Sequence, residues 1–210
     1  MFHDIITTYH FSMPEHPKKE RTFLMVKPDG VKRGLTGEII KRLEQRNLKI
    51  VALEMFQATK EQVDEHYPKD EAWIRRVGQK TLSTYEKYGY NPVEELGTGD
   101  DLEIGKMVRE WLINFMVSAP MVRMVVEGVH AVDMVRKLAG PTMPSAAELG
   151  TIRGDFSVDS AASANKEKRA VHNLVHASET QEEAAHEIEF WFGSGDRVFH
   201  YSRSEEEMQF

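Results

Sequence analysis

The order strand–helix–strand, helices, strand–helix, strand predicts an α+β fold, a split βαβ arrangement with a four-stranded antiparallel sheet and helices packed on it. Three observations carry that expectation. Phe23-Leu24-Met25-Val26 is a continuous apolar run, as in a central strand buried on both faces. Leu48–Met55 and Val122–Glu127 read as further strands, each next to a segment with helical spacing of apolar residues. Val171, Leu174, Val175 and Ala177 supply a fourth, expected to lie buried within the sheet.

The chain has 210 residues, 40% hydrophobic and 29% charged, which suits one domain with decorations and a sizeable core. No apolar run approaches the roughly 18 residues of a membrane span, and no signal-peptide core is visible, so no membrane partner is expected. The absence of cysteine excludes disulfides, zinc–thiolate sites and thiol catalysis, and fits a cytoplasmic protein. A formal net charge of −7 argues against a nucleic-acid coat. A polyanionic substrate would need positive charge gathered in a local pocket.

Residues 1–20 read as an extension with a short strand near Asp4–Tyr9. Its His3, His10 and His16 match no common metal-ligand spacing. Lys27-Pro28-Asp29-Gly30 ends the first strand as a turn, which leaves Lys27 at a strand edge where sheets often place ligand groups. Thr36 can cap a helix carrying Ile39, Ile40 and Leu43 inward. Thr59 with Gln62 is a capping box opening a helix that runs to His66-Tyr67-Pro68. Residues 69–105 are charged and helical at first (Trp73, Ile74, Val77), then broken at Gly89–Pro92 and Gly97–Gly99.

A helix follows with Ile104, Met107, Val108, Trp111, Leu112 and Phe115 on one face, a stripe expected in the core. Ala131–Ala139 is a helix with Val132, Val135 and Leu138 inward and Arg136 beside that stripe, over a cleft. Gly140–Pro144 must form a structured loop, and Gly150–Phe156 a second rigid turn. Residues 157–168 read as a surface loop with a helical turn. Thr180 with Glu183 is a capping signature for a last helix, Gln181–Phe192. Residues 193–210, with Glu205, Glu206 and Glu207, read as a solvated tail.

The candidate chemistry starts at His176, at or just past a strand end and facing the first turn of the last helix. The positive end of that helix dipole suits an anionic group. A lone histidine there can also be a satisfied structural residue. Glu187 tips the balance: it lies beside the inward stripe that holds Ala184, Ile188 and Trp191, where a carboxylate needs a partner. If Glu187 accepts the Nε2–H of His176, the Nδ1 lone pair is left free, the orienting logic of a nucleophile.

Several segments together resemble the nucleoside diphosphate kinase family: Glu20-Arg21-Thr22-Phe23, Lys27-Pro28-Asp29-Gly30-Val31, Arg33-Gly34-Leu35, Gly37-Glu38-Ile39-Ile40, Gly150-Thr151-Ile152-Arg153-Gly154-Asp155-Phe156 and Asn173-Leu174-Val175-His176-Ala177-Ser178. The likeness runs from about Glu20 to Phe192, and the domain is expected to span residues 21–192. It is interrupted by an insertion at 69–105 and a lengthened loop at 157–172. The family uses no glycine-rich P-loop, and none is present.

The resemblance implies a ferredoxin-like α+β fold and a ping-pong transfer of the γ-phosphate of a nucleoside triphosphate, typically ATP, through a phosphohistidine on His176 to a nucleoside diphosphate. It implies that Asn173 and Lys27 contact the ribose hydroxyls and phosphate end, and that Arg136, Thr142 and Arg153 clamp the phosphates. Tyr67 matches a tyrosine near the γ-phosphate, Glu187 the carboxylate that orients the histidine, and Ser178 a residue that hydrogen-bonds it. Mg²⁺ would ride on the nucleotide phosphates, touched at most through water by Glu179, and the chain would assemble as a hexamer or tetramer.

Departures from the pattern are instructive. Ala177 and Glu179 replace the commoner Gly and Asp. Val108 stands where the family stacks the base on a phenylalanine, which weakens stacking. The insertion is either a decoration outside the cleft or the source of a replacement ring, from Trp73, Tyr85 or Tyr88. Two competing readings, a nucleotide- or single-strand-binding module without turnover and a phosphocarrier that passes its phosphate to a protein, are separated from the kinase by turnover with a diphosphate acceptor.

Overall fold

The computed structural model describes residues 19–193 and 197–204. The strand predicted near Asp4–Tyr9 and the acidic run 205–207 lie outside them. Strands β1 (Glu20–Val26), β2 (Lys49–Phe56), β3 (Met121–Gly128) and β4 (Val175–Ala177) form one antiparallel sheet in the order β2-β3-β1-β4. β1 is central and its last five residues are fully buried, as its apolar run predicts.

Period-two alternation divides the core between the two faces of the sheet. Leu24, Val26, Met124 and Val126 pack on one face with Ile39 and Leu43 of α2 (Thr36–Gln45) and Val135 of α7 (Ala131–Ala139). On the other face lie Phe23, Met25 and Val125. They meet Val63 of α3 (Lys60–His66), Ile113 and Met116 of α6 (Asp101–Met116), and Trp191 and Phe192 of α10 (Gln181–Phe192). Each such side chain contributes roughly 1.5–3 kcal/mol of burial.

Several sequence expectations are corrected. The fourth strand sits at the sheet edge rather than within it, and it is only three residues long, because Leu174 takes a left-handed backbone (φ 68°) that ends the regular ladder. Residues 27–30 do not form a simple turn: Lys27 is the N-cap of a short helix α1 (Pro28–Lys32), with Pro28 in the first turn, where proline needs no donor. Thr36 lies inside α2 and caps nothing with its side chain; Leu35 is the N-cap. Gly150–Phe156 contains a helix, α8 (Ile152–Phe156), capped by Thr151. In α6 the fully buried positions are Ile104, Gly105, Ile113 and Met116, while Met107 and Trp111 are only half-buried.

Thr59 and Gln62 form the reciprocal capping box expected of them. Thr180 caps α10, but Glu183 turns to the Glu179 amide instead of closing the box. The segment after α10 is not wholly solvated: the Phe199 amide donates to the Val51 carbonyl (2.8 Å) and the Tyr201 hydroxyl to Ile50 (2.9 Å), along part of the β2 edge.

Between Tyr67 and β3 the chain builds a second layer. α4 (Glu71–Tyr88) starts at the Asp70 cap and ends at Gly89 in the left-handed region (φ 68°). It lies against α6 at backbone distance. A Cβ on Gly78 would stand 1.8 Å from the Asp101 carbonyl oxygen, and one on Gly105 2.0 Å from that of Ile74. A short helix α5 (Pro92–Leu96) and α9 (Ala161–Lys166) complete the layer. No helix of the described residues is long and apolar enough to cross a membrane.

Candidate active site

The end of β1 and the approach to β4 converge through buried polar contacts. Asp29 Oδ2 accepts the Leu174 amide (3.0 Å), and the Lys27 amide donates to the Leu174 carbonyl (2.8 Å). These two bonds hold Leu174 in its left-handed conformation, a strain of order 1–3 kcal/mol for a non-glycine residue. The approach is close: a Cβ on Gly30 would lie 2.7 Å from Val26 Cγ1 and 3.0 Å from the Leu174 oxygen. The kink sets Asn173 beside Lys27, whose ammonium donates to Asn173 Oδ1 (2.8 Å), and turns His176 toward the same space. That space is a cavity of about 1570 Å³. Ordinary small-molecule sites hold roughly 300–1,000 Å³, so a whole nucleotide has room.

His176 Nε2 is 2.6 Å from Glu187 Oε1, and the Ser178 hydroxyl donates to Glu187 Oε2 at 2.6 Å. Burial alone would raise the Glu187 carboxyl, but the bonds from His176 and Ser178 hold it below the ordinary carboxylate range. An ionised Glu187 selects the tautomer with a proton on Nε2. Nδ1 then has no protein partner among the described residues and carries the lone pair.

Most residues singled out in the sequence line this cavity: Lys27, Tyr67, Arg136, Thr142, Arg153, Asn173, His176, Glu179 and Glu187. Burial, and then the Arg153 charge, lower the Lys27 ammonium to about 8. Burial raises the Tyr67 phenol, so it remains an O–H donor. Arg136 is 44% exposed and 3.6 Å from Glu179, free to turn toward a phosphate. Arg153 is more constrained. Burial and the nearby Arg136 lower it to about 10, and three of its N–H groups serve the carbonyls of Asn173 (3.1 Å), Val175 (2.7 Å) and Gly140. Of its five donors, two remain for an anion.

Two expected residues fall elsewhere. Ser178 is fully buried behind Glu187 and does not line the cavity. Val108, matched by position to the base-stacking ring, does not line it either. Trp73 does, with its ring centroid 6.3 Å from that of Tyr67, whereas Tyr85 is buried against the Asn165 carbonyl.

Sequence reasoning missed His66 and Asp29. The His66 ring centroid is 5.2 Å from that of His176, and its Nδ1 is 3.7 Å from Glu187. Burial and then the His176 charge lower it to about 3, so it stays neutral. Its adjacency to Tyr67 at a helix end was the available signal. Asp29 offered none beyond its place in a turn motif, since its partner lies 145 residues away.

The residues present fit a phosphate-borne cation better than a cage. The metal-competent cluster among the described residues is His66, His176 and Glu187, too rich in nitrogen for Mg²⁺, which prefers oxygen and water.

A family model described as nucleoside diphosphate kinase matches residues 20–74 and 103–197. A nucleoside diphosphate kinase of Pyrobaculum aerophilum is 50% identical over 173 residues, covering 82% of this chain and 94% of the relative. The crystal structure of an NDP kinase from Pyrobaculum aerophilum superposes with a TM-score of 0.82 at 46% identity, over 86% of this chain and all (100%) of that one. A transition-state mimic of the Borrelia burgdorferi enzyme, with bound vanadate and ADP, gives 0.67 at 33% identity over 89% and 94%.

Proposed function

The chain belongs to the nucleoside diphosphate kinase family and is a phosphotransferase, and from that premise we propose that His176 Nδ1 is the atom that carries the phosphoryl group. The Nδ1 lone pair attacks the γ-phosphorus of a nucleoside triphosphate. The bond from that phosphorus to the bridging oxygen breaks, and the diphosphate leaves with the electron pair. A second diphosphate then attacks the phosphohistidine through its terminal oxygen, and Nδ1 recovers its lone pair. The observation that carries this reading is the 2.6 Å Nε2 contact to Glu187, which fixes the ring and leaves Nδ1 free.

Phosphoryl transfer asks little covalent work of a protein beyond positioning and charge stabilisation. Lys27, Arg136 and the two spare donors of Arg153 supply the positive field that an acidic chain needs at this point. The Thr142 hydroxyl and the Tyr67 phenol add neutral donors, and Asn173 with Lys27 meets the ribose hydroxyls. Lys27, lowered to about 8, remains mostly charged at neutral pH. Ser178 acts through Glu187. Mg²⁺ carried by the nucleotide would supply further charge neutralisation, and Glu179 is the residue that would hold it, through water.

We read residues 21–192 as one catalytic domain carrying a helical insertion, acting in the cytoplasm on soluble nucleotides. A homo-oligomer, hexamer or tetramer, fits Leu53 (50% exposed) and Met55 (61% exposed) on the edge strand β2.

The test is incubation with γ-labelled ATP and Mg²⁺. The wild type should take an acid-labile, alkali-stable label that GDP removes as GTP, and His176→Ala should take none. Label that GDP leaves on the protein would make this a phosphocarrier. Nucleotide binding without label would make it a binding module.

A further inference from the structure

The function just proposed accounts for the phosphate and ribose ends of the cavity and leaves the base without a surface. Val108, the aliphatic replacement suggested by the motif alignment, does not line the cavity. One wall of the cavity is instead helix α4, whose first turn lies within the family match and whose remainder falls in the unmatched stretch 75–102. Trp73, Arg76, Val77 and Lys80, at i, i+3, i+4 and i+7, all line it, a single helical face.

This wall is rigid. The Asp70 side chain caps the Trp73 amide at 2.8 Å. One turn further on, the Gly78–Gly105 crossing brings the α4 and α6 backbones into direct contact, so the helix cannot swing without losing that packing. The wall also connects to the chemistry. A row of rings runs from His176 to His66 (5.2 Å), Tyr67 (5.2 Å) and Trp73 (6.3 Å). The γ-phosphate end lies at His176, so the end of this row farthest from the chemistry is Trp73.

We propose that the nucleobase packs on Trp73 and Val77, so that helix α4 supplies the base platform of the active site. This rests on the cavity being the nucleotide site. Trp73 is half-buried and lines the cavity. Arg76 and Lys80 are exposed on the same face and their charged side-chain groups have no hydrogen-bond or ion-pair partner among the described residues, which leaves this rim positive above an anionic ligand. An indole face and an isopropyl group meet a base on its flat side and read none of its edges. Every base is therefore accepted, and purines, with more ring to cover, bind more tightly than pyrimidines.

Binding measured by titration calorimetry, without turnover, separates this proposal from the catalytic one. ADP and ribose 5-diphosphate are compared on wild type, Trp73→Phe and Trp73→Leu, with circular dichroism and thermal melting confirming the fold. Trp73→Leu should weaken ADP about tenfold, the scale of one stacked base, and change ribose 5-diphosphate less than twofold. Trp73→Phe should recover most of the loss. Equal weakening of both ligands would mean that Trp73 only props Tyr67, and no weakening of either would remove the base from α4; each overturns the proposal. A chain that binds ADP through Trp73 yet forms no phosphohistidine would overturn the catalytic reading alone.

Discussion

On the sheet side of the cavity, Lys27, Arg153, Asn173 and Glu187, with Ser178 behind Glu187, are each more than nine-tenths buried, and every one is hydrogen-bonded. On the α4 side, Arg76 and Lys80 reach into solvent, and the wall is held from behind, by two glycines that let backbones touch and by Arg75 and Gln79, which both donate to Asp101 of α6. The first wall is polar and dry, so each donor is tied to a particular acceptor and little can move. The second is held on the side away from the cavity, and no hydrogen bond or ion pair joins its cavity-facing side chains among the described residues. A reacting atom needs the first kind of support, since a misplacement of about 1 Å costs about a hundredfold in rate. A base platform needs only a flat surface at a set distance.

The largest effect that would sharpen this contrast is expected at Glu187. Glu187→Gln keeps the shape and an acceptor for Ser178 but removes the charge that selects the Nε2–H tautomer. Steady-state assay should show kcat lower by about 10²–10⁴-fold, the range for a lost orienting or acid–base partner, with thermal stability nearly unchanged. A loss below tenfold would show that the ring is oriented by packing rather than by the carboxylate.

Next comes the helix wall. Gly78→Ala forces a methyl group to within 1.8 Å of the Asp101 carbonyl, so α4 and α6 must separate. Overpacking of this kind costs about 1–3 kcal/mol. The melting temperature should fall and nucleotide affinity should weaken, while His176 in the variant is still phosphorylated at low temperature. An unshifted melt would mean that the helix pair is loosely joined, and the contrast between the walls would collapse.

The smallest effect is a pH dependence. An unfolded histidine takes up a proton below its ordinary value of 6.5, but buried His66 does not until about 3. Below pH 6.5 the unfolded state therefore binds more protons, and stability falls as the pH is lowered toward 3, by at most about 1.4 kcal/mol per unit. Glu187, held low by its partners, adds a loss of the same sign at more acidic pH. Urea unfolding of wild type and His66→Asn between pH 6.5 and 5 should give a flatter pH profile for the variant. Parallel profiles would show that His66 is protonated in place.

The sheet strands, the helices Ala131–Ala139 and Gln181–Phe192, the Thr59 capping box and the pairing of Glu187 with His176 were all legible along the chain. Each is recorded locally, as an apolar period, a capping residue or a carboxylate on an inward stripe. The kink at Leu174 was not legible: its apolar neighbours look like strand, and its left-handed backbone depends on Asp29, far away in sequence. Nor could Val108 be told from Trp73 as the base surface, because alignment assigns a position along a helix and not the cavity it faces.

Taken alone, the sequence determined what is periodic or short-range: the element order, the two-faced core, the dyad and the resemblance to a kinase family. Tertiary structure decided what depends on contacts between distant residues. It set β4 at the sheet edge, spent three Arg153 donors on carbonyls, brought His66 against His176 and laid α4 along the cavity. The physical reason is range. Helical and strand periods act over a few residues, whereas a buried hydrogen bond or a glycine crossing exists only once the chain has brought both partners together.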